Sequence, residues 1–337
     1  MMSRLKDIAI LLVFILIVMP FFCLASCKSI TKDLPNVAKE KFRIIGYFRG
    51  DLVKDISKVN FSALTHINIA FANPDSTGSF SAISGLKEFV IKAHKNNTKV
   101  LISLGGGKAP EYYANLISPT KRIKFIEEIN KLADSYRLDG IDVDLEGKLI
   151  TQDYEGFIND LSNSLKADIL LTAAVATEYG KTLPIKALEK LDFVNIMSYD
   201  KTGPWRPSKP GQHSPYEMAV TDVEYWHTVK GVPKEKLNLG LPFYAYSFNG
   251  DKSGSYTYNR IVTDYPGAEY KDEIEMKDGS IAYYNGISTI RKKTALALNE
   301  AGGVMIWQIL QDADRDQSLL SLIKDIADTA QANSQSK

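Results

Sequence analysis

Cysteine is almost missing from this chain: Cys23 and Cys27 are the only two in 337 residues. Both stand within the first thirty positions, so the remainder can form no internal disulfide and no thiolate metal centre. Its stability must come from a large apolar core. The four histidines, His66, His94, His213 and His227, show neither HxxxH nor HxH spacing, and each reads as a core or surface histidine rather than a metal ligand. An excess of one charge is missing too. Lys and Arg number 41 against 40 Asp and Glu, for a net charge of +1. With no basic run carrying interleaved aromatics, the sequence offers nucleic acid no electrostatic footprint, and none is expected as a partner.

Long apolar runs are confined to the N-terminus. Arg4 and Lys6 precede an apolar stretch at residues 8–22, followed by Leu24-Ala25-Ser26-Cys27. That stretch is short for a spanning helix and has the charged start, apolar middle and small-residue end of an export signal. Leu-Ala-Ser-Cys resembles the lipobox of bacterial lipoproteins. The resemblance implies a signal peptide at 1–26 and a lipid on Cys27 as the first mature residue. It also implies a polar tether at 27–42 and an envelope protein held on a membrane, facing periplasm or exterior. The alternative is a simple uncleaved anchor.

Beyond the tether, eight short β-branched runs alternate with amphipathic ones. The runs are RIIGYF (43–48), LTHINIAF (64–71), KVLISLG (99–105), GIDVDLE (140–146), ILLTAAV (169–175), FVNIMSY (193–199), LNLGLPF (237–243) and GVMIWQI (303–309). Between them, Leu86, Phe89, Val90 and Ala93 make one helical stripe, and Tyr154, Phe157, Ile158, Leu161 and Leu165 another. A third stripe, Phe125, Ile126, Ile129, Leu132 and Ala133, is preceded by Ser118-Pro119, which reads as N-cap and first helical residue. Strand–helix alternation in under 300 residues predicts a (β/α)8 TIM barrel over residues 43–330. A doubly wound open sheet is the alternative, but no GxGxxG follows the first strand. Residues 245–286, rich in Tyr, Gly and Asp, are too long for an ordinary connection. They read as a small β-rich insertion between the seventh strand and the last helix–strand unit. Residues 331–337 read as a frayed polar tail.

The fourth run, LDGIDVDLEG at 138–147, carries four carboxylates in what otherwise looks like a buried strand. Side chains two apart on a strand share a face, so Asp142, Asp144 and Glu146 point one way and Ile141, Val143 and Leu145 the other. In a parallel barrel the aliphatic set packs under the helices and the acidic set lines the interior toward the C-terminal mouth, where catalytic groups sit. Crowded carboxylates with few inward cations resist simultaneous ionisation. A shared proton and one raised pKa would follow, which is what a general acid needs near neutrality.

These residues resemble the DxxDxDxE signature of family 18 glycoside hydrolases, the chitinase family, at Asp139, Asp142, Asp144 and Glu146. Four more motifs are similar and in the same order: SLGG (103–106), MSYDKTGPW (197–205), GLPFY (240–244) and GGVMIWQ (302–308). The resemblance covers about residues 43–325. It implies that Glu146 protonates the glycosidic oxygen, while the substrate's own 2-acetamido oxygen attacks to give an oxazolinium intermediate and net retention. Asp144 would orient the acetamido N–H, Asp142 would share a proton behind it, and Tyr199 would donate to the acetamido oxygen. Asp139, Ser103, Gly105 and Gly106 match positions more structural than chemical. Trp307 matches the tryptophan beneath the sugar at the cleavage point, with Tyr47, Phe71, Met197, Asp200, Trp205 and Tyr244 as further substrate contacts. Core packing is the competing reading for Tyr47 and Phe71, and the better one for Trp226.

No metal or organic cofactor is implied, and a monomer is expected. Leu145 and Gly107 depart from the family, many of whose chitinases have Trp at both positions; this weakens the expectation of a long stacked cleft. The reading is a retaining, endo-acting hydrolase of β-1,4-linked N-acetylglucosaminides, chitin or chitooligosaccharides. Alternatives are an endo-β-N-acetylglucosaminidase acting on N-glycan cores and a non-catalytic chitinase-like lectin.

Overall fold

The computed structural model of the chain describes residues 41–250 and 252–335, with side chains as far as residue 333. The expected signal peptide, Cys27 and nearly all of the tether lie outside the described residues.

Seven strands come first: β1 (Arg43–Phe48), β2 (His66–Ala70), β3 (Lys99–Gly105), β4 (Gly140–Asp144), β5 (Leu170–Val175), β6 (Phe193–Ile196) and β7 (Leu237–Pro242). Four short ones follow, β8 (Tyr244–Asn249), β9 (Lys252–Thr257), β10 (Glu273–Glu275) and β11 (Ile281–Tyr283), and then β12 (Gly303–Trp307). The helices are α1 (Leu86–Lys95), α2 (Tyr113–Leu116), α3 (Arg122–Tyr136), α4 (Tyr154–Ser164), α5 (Ile185–Glu189), α6 (Tyr216–Glu224), α7 (Tyr258–Asp264), α8 (Ile287–Glu300) and α9 (Leu319–Gln335). Strands β1 to β7 and β12 close into a barrel, with β12 pairing both β7 and β1 in parallel. This is the TIM barrel that the alternation of runs predicts.

Alternation along each strand makes two separate cores. Outward residues such as Ile141, Val143, Val100 and Ile102 join the helix stripes in a large cluster between sheet and helices. The stripes of α1, α3 and α4 bury the residues their spacing indicates, except that Leu165 follows the end of α4 in extended conformation and is half-buried. Inside the barrel lies a smaller cluster of Ile45, Tyr47, Ala174, Phe193, Tyr199, Tyr244 and Met305, with Met197 and Trp307 packed against it. This filling makes the barrel a packed support rather than a pore.

Three boundaries differ from expectation. Helix α3 starts at Arg122, three residues after Pro119, because Ser118 closes the turn after α2 instead: its Oγ donates to the Asn115 carbonyl at 2.7 Å, and its own carbonyl accepts from Lys121 and Arg122. The C-terminal tail is helical to Gln335, because α9 is anchored by buried Leu319, Leu320, Ile323 and Ala327 and its backbone bonds carry it past the last of them. The insertion is an antiparallel sheet in the order β10-β11-β8-β9 that begins at Tyr244, one residue after the barrel proper, and it also carries helix α7, whose Tyr258, Ile261 and Val262 are buried.

Phe125 is buried where α3 meets α4, its ring stacked on Phe157 at 5.8 Å and met edge-on by Tyr113 at 6.0 Å. Phe125→Ala should cost about 3–5 kcal/mol in urea denaturation through the cavity it leaves. An unchanged denaturation midpoint would show that the outer cluster is not what holds this side of the barrel.

Candidate active site

The parallel register aligns inward-facing residues of neighbouring strands. Ser103 on β3 pairs with Asp142 on β4, which pairs with Thr172 on β5. All three are fully buried. Ser103 Oγ donates to Asp142 Oδ2 at 2.7 Å and Thr172 Oγ1 donates to Oδ1 at 2.6 Å. From across the barrel, the Tyr47 hydroxyl donates to Oδ2 at 2.6 Å and Asn195 Nδ2 to Oδ1 at 3.3 Å. Burial raises the pKa of Asp142, and these four donors pull it back.

Asp144, one pleat nearer the mouth, is placed differently. It is 3% exposed, its Oδ1 has no hydrogen-bond partner among the described residues, and its pKa is pushed well up, first by burial and then by the charges of Glu146 and Asp142. No hydrogen bond joins it to Asp142. Asp142's oxygens take donors from four strands instead.

Glu146 stands two residues past the end of β4, half-buried and in extended backbone conformation. Burial, reinforced by the charge of Asp200, raises its pKa to about 7; Tyr179 works in the opposite direction. The glycines of SLGG explain themselves at this level. Gly105 has φ +108°, and a Cβ there would run into the Asp144 carbonyl; Gly106 has φ +89°, and a Cβ there would lie 2.5 Å from the Phe71 ring. Strand β3 can thus approach β4 closely, and the Gly106 N–H donates to the Asp144 carbonyl at 2.7 Å.

An aromatic floor surrounds the carboxylates. Trp307, at the mouth end of β12, is stacked on Phe71 at 5.7 Å and 26° and lies 5.6 Å from Tyr47. The peptide bonds Ala70–Phe71 and Trp307–Gln308 are cis. Tyr47 belongs to the site through its hydroxyl as well as to the inner core through its ring. Tyr199 is buried inside the barrel, and among the described residues its hydroxyl has only a weak sulfur acceptor, Met305 Sδ, at 3.7 Å. Asp200 follows in a left-handed conformation, φ +65°, and accepts from the Tyr244 hydroxyl at 2.5 Å. Trp205 is 54% exposed and packs edge-on against Tyr246 of the insertion, 5.5 Å away, so it caps the wall rather than the floor. Asp139 lies at the opposite end of β4, where its Oδ2 accepts from the Val100 N–H and meets His94 Nε2, both at 2.7 Å. That placement is structural, as its motif position implies. Trp226 is fully buried, in agreement with core packing.

Several residues of the site escaped the sequence reading. Thr172 and Asn195 were available in principle, as lone polar residues on the inward phase of apolar strands. His213 faces Asp200 across 3.6 Å while its Nε2 meets the Tyr244 carbonyl at 3.3 Å. Buried Lys293 on α8 donates to the Ser214 carbonyl, Ser214 Oγ and Asn285 Oδ1, and Ser214 Oγ donates to the Ser198 carbonyl at 2.6 Å. Neither carries a local signal, because each acts through residues far away in sequence.

The profile of the Glycosyl hydrolases family 18 matches residues 43–312. The chain belongs to that family. Among solved structures it is similar to the family 18 chitinase ChiB from the chitin utilization locus of Flavobacterium johnsoniae, at 38% identity and TM-score 0.80, covering 85% of this chain and 94% of that one. It is also similar to a chitinase from Bacteroides thetaiotaomicron, at 30% identity and TM-score 0.74, covering 84% and 96%. Among curated relatives, a class V chitinase of Arabidopsis thaliana is 29% identical across 72% of each chain. A chitinase-like effector of Moniliophthora roreri is 28% identical, and the match spans 57% of its length. By class, family 18 places the chain with the chitinase-like glycosidases.

Within that family, the two departures at large aromatic positions are not equivalent. Leu145 is 2% exposed and belongs to the outer cluster, so its side chain does not face the cleft. Gly107 does bear on it, since a Cβ there would stand 3.3 Å from Glu146 Oε1. Gly105→Ala should lose about 1–3 kcal/mol or more of stability to backbone strain and collision with Asp144. Gly107→Ala, at ordinary φ and on an exposed turn, should melt close to the unsubstituted protein. Equal melting of the two variants would remove the explanation given for the SLGG turn.

Proposed function

We propose that the protein is a retaining, endo-acting hydrolase of β-1,4-linked N-acetylglucosaminides, chitin or chitooligosaccharides, working by substrate-assisted catalysis. One observation carries the reading. Among the described residues the site holds a buried acceptor without a donor, Asp144 Oδ1, and a buried donor with only a weak sulfur acceptor, the Tyr199 hydroxyl. A buried polar atom without a partner is costly unless a ligand supplies one. A secondary amide offers one N–H and one carbonyl oxygen, which is what the pair requires. With the N–H on Asp144 and the oxygen near Tyr199, the acetamido oxygen is aimed at the anomeric carbon of its own sugar. Asp144's negative charge would favour the positive charge that develops on the amide.

Glu146 supplies the proton. A carboxyl with a pKa of about 7 remains protonated in a large fraction of molecules at neutral pH, and can give its proton to the departing oxygen. The same group, now a carboxylate, can take a proton from the water that opens the oxazolinium ion. Trp307 and Phe71 offer apolar faces to the pyranose ring. The retained Glu146, Asp144 and Tyr199 favour the enzyme over the lectin. The bare Gly107 beside the acid favours soluble or bulky leaving groups over stacked crystalline chains, and leaves the N-glycan core as the second reading. We further propose that Cys27 carries a lipid that holds the protein on the cell envelope, a reading supported by Leu24-Ala25-Ser26-Cys27 after the apolar run.

Glu146→Gln should lower kcat on chitooligosaccharides by about 10² to 10⁴, or about 3 to 5 kcal/mol of barrier, with binding kept within a few-fold. A nitrophenolate leaving group should recover part of the loss. In the unsubstituted enzyme, kcat/KM should fall as pH rises through about 7, because Glu146 must be protonated to act as acid. Cello-oligosaccharides, which lack the amide, should not be cleaved, and turnover comparable to that of chito-oligosaccharides would sink the substrate-assisted mechanism. Cleavage of a high-mannose glycoprotein in preference to chitotetraose would select the second reading. Cys27→Ala should release the protein from the membrane fraction or leave an unprocessed precursor, and unchanged size and detergent partitioning would overturn the lipid anchor.

A further inference from the structure

The loop after β5 brings a second phenol to the carboxylates. Residues Thr177–Thr182 form a 3₁₀ segment interrupted at Tyr179, whose φ of −113° and ψ of 17° lie outside helical values. The loop is tied down on every side but one. Trp226 Nε1 donates to Thr177 Oγ1 at 3.1 Å, Thr182 Oγ1 to the Tyr179 carbonyl at 2.7 Å and Lys230 Nζ to the Leu183 carbonyl at 2.6 Å. Gly180 passes under the Tyr225 ring, which a Cβ would approach to 2.7 Å. None of these ties uses the Tyr179 hydroxyl. That hydroxyl is buried and makes no hydrogen bond of ordinary geometry among the described residues, yet it stands near enough to the Glu146 carboxyl to favour the carboxylate as a long, poorly aligned donor. The groups whose charges it feels are Glu146, Asp144, Tyr199 and Tyr154.

A buried hydroxyl held in place by other anchors, beside a carboxyl that must change its charge during turnover, has an evident occupation. A protonated carboxyl needs few donors; a carboxylate accepts at both oxygens and gains most from a charge-assisted one. We propose that Tyr179 is a positioning residue for Glu146, its hydroxyl closing onto the carboxylate as the proton departs and holding that oxygen until the proton returns. The inference rests on the family 18 reading of Glu146 as the acid. In the first step the proton passes from Glu146 to the glycosidic oxygen, the bond from that oxygen to the anomeric carbon breaks, and the acetamido oxygen bonds to the carbon. In the second, water attacks the same carbon and gives its proton to Glu146 while the bond from the acetamido oxygen to that carbon breaks and the amide is restored. Tyr179 keeps its own proton throughout.

Electrostatics agree in sign. Tyr179 lowers the Glu146 pKa, against burial and Asp200, which raise it. The titratable groups facing this pair are Asp144, Asp200, Tyr199 and Tyr154. The neighbouring cation in the chain, Lys148, is exposed to solvent. Removing the hydroxyl therefore takes away a donor that favours the carboxylate, and the Glu146 pKa must rise.

The test is a carbon NMR titration of Glu146 in the intact, glutamate-labelled protein, run beside pH profiles on chitotetraose. Tyr179→Phe should raise the Glu146 midpoint by about half to one pH unit and carry the alkaline limb of kcat/KM up with it. It should lower kcat by about 3- to 30-fold and leave KM within about two-fold. A ring-fluorinated tyrosine at 179, nearly isosteric and a stronger donor, should move the midpoint down, and it keeps the question open to test if the phenylalanine variant fails to fold. An unmoved midpoint with both substitutions would overturn the proposal. So would a loss confined to KM, which would put the hydroxyl on the sugar. Should the unsubstituted protein cleave no N-acetylglucosaminide, the proposed function falls, while the titration still decides whether Tyr179 governs Glu146.

Discussion

Everything at the mouth of this barrel depends on keeping one carboxyl group in its packed interior. Asp142 is fully buried, and an ionised carboxylate there would be untenable without donors. Four strands supply them: Tyr47 from β1, Ser103 from β3, Thr172 from β5 and Asn195 from β6. Barrel closure is what makes this possible, because only in a closed parallel sheet do residues far apart in sequence converge on one interior point. The donors in turn tie those strands to β4, and so fix where Asp144 and Glu146 stand above.

The three acids then divide by height in the barrel. At the lowest, Asp142 is satisfied by protein. One pleat up, Asp144 is buried but short of a donor, so it is set to receive one from a ligand. Past the strand end, Glu146 is half-buried and bears on Asp200, Tyr179 and the bare Gly107. A single alternating sequence thus produces a graded series of environments, since burial and donor supply change at each pleat.

How much of this is legible in the sequence follows from range. Strand alternation, helix stripes and the inward phase of Asp142 and Asp144 are local properties, and GIDVDLE and the stripe of α3 state them directly. The start of α3 was misread because Ser118 can equally close a preceding turn, and only the position of Asn115 decides between the two. The end of α9 was misread because polar residues beyond Ala327 carry no stripe, while backbone hydrogen bonds continue without one. Leu145 looked like a cleft position by motif, yet its phase on the strand places it in the outer core with Ile141 and Val143. Tyr179, His213 and Lys293 are legible only in three dimensions, because their partners lie on other strands or loops.

Lys293 shows what the fold bears to hold the site. Its ammonium is enclosed by Ser214 and Asn285, and through Ser214 it fixes the Ser198 carbonyl immediately before Tyr199 and Asp200. Burial lowers its pKa from 10.5 to about 7. Its folded pKa is depressed, so the stability present above pH 10.5 is lost as pH falls toward 7. Glu146 has the opposite sign: its pKa is raised from 4.5 to about 7, so the stability present below pH 4.5 is lost as pH rises toward 7. The two losses meet near neutrality. A barrel selected for stability alone would avoid both groups. Here both bear on the Tyr199–Asp200 turn, Lys293 by fixing the carbonyl before it through Ser214 and Glu146 through the Asp200 charge that, after burial, helps raise its pKa. The cohesion of the outer apolar cluster is what lets the barrel keep both.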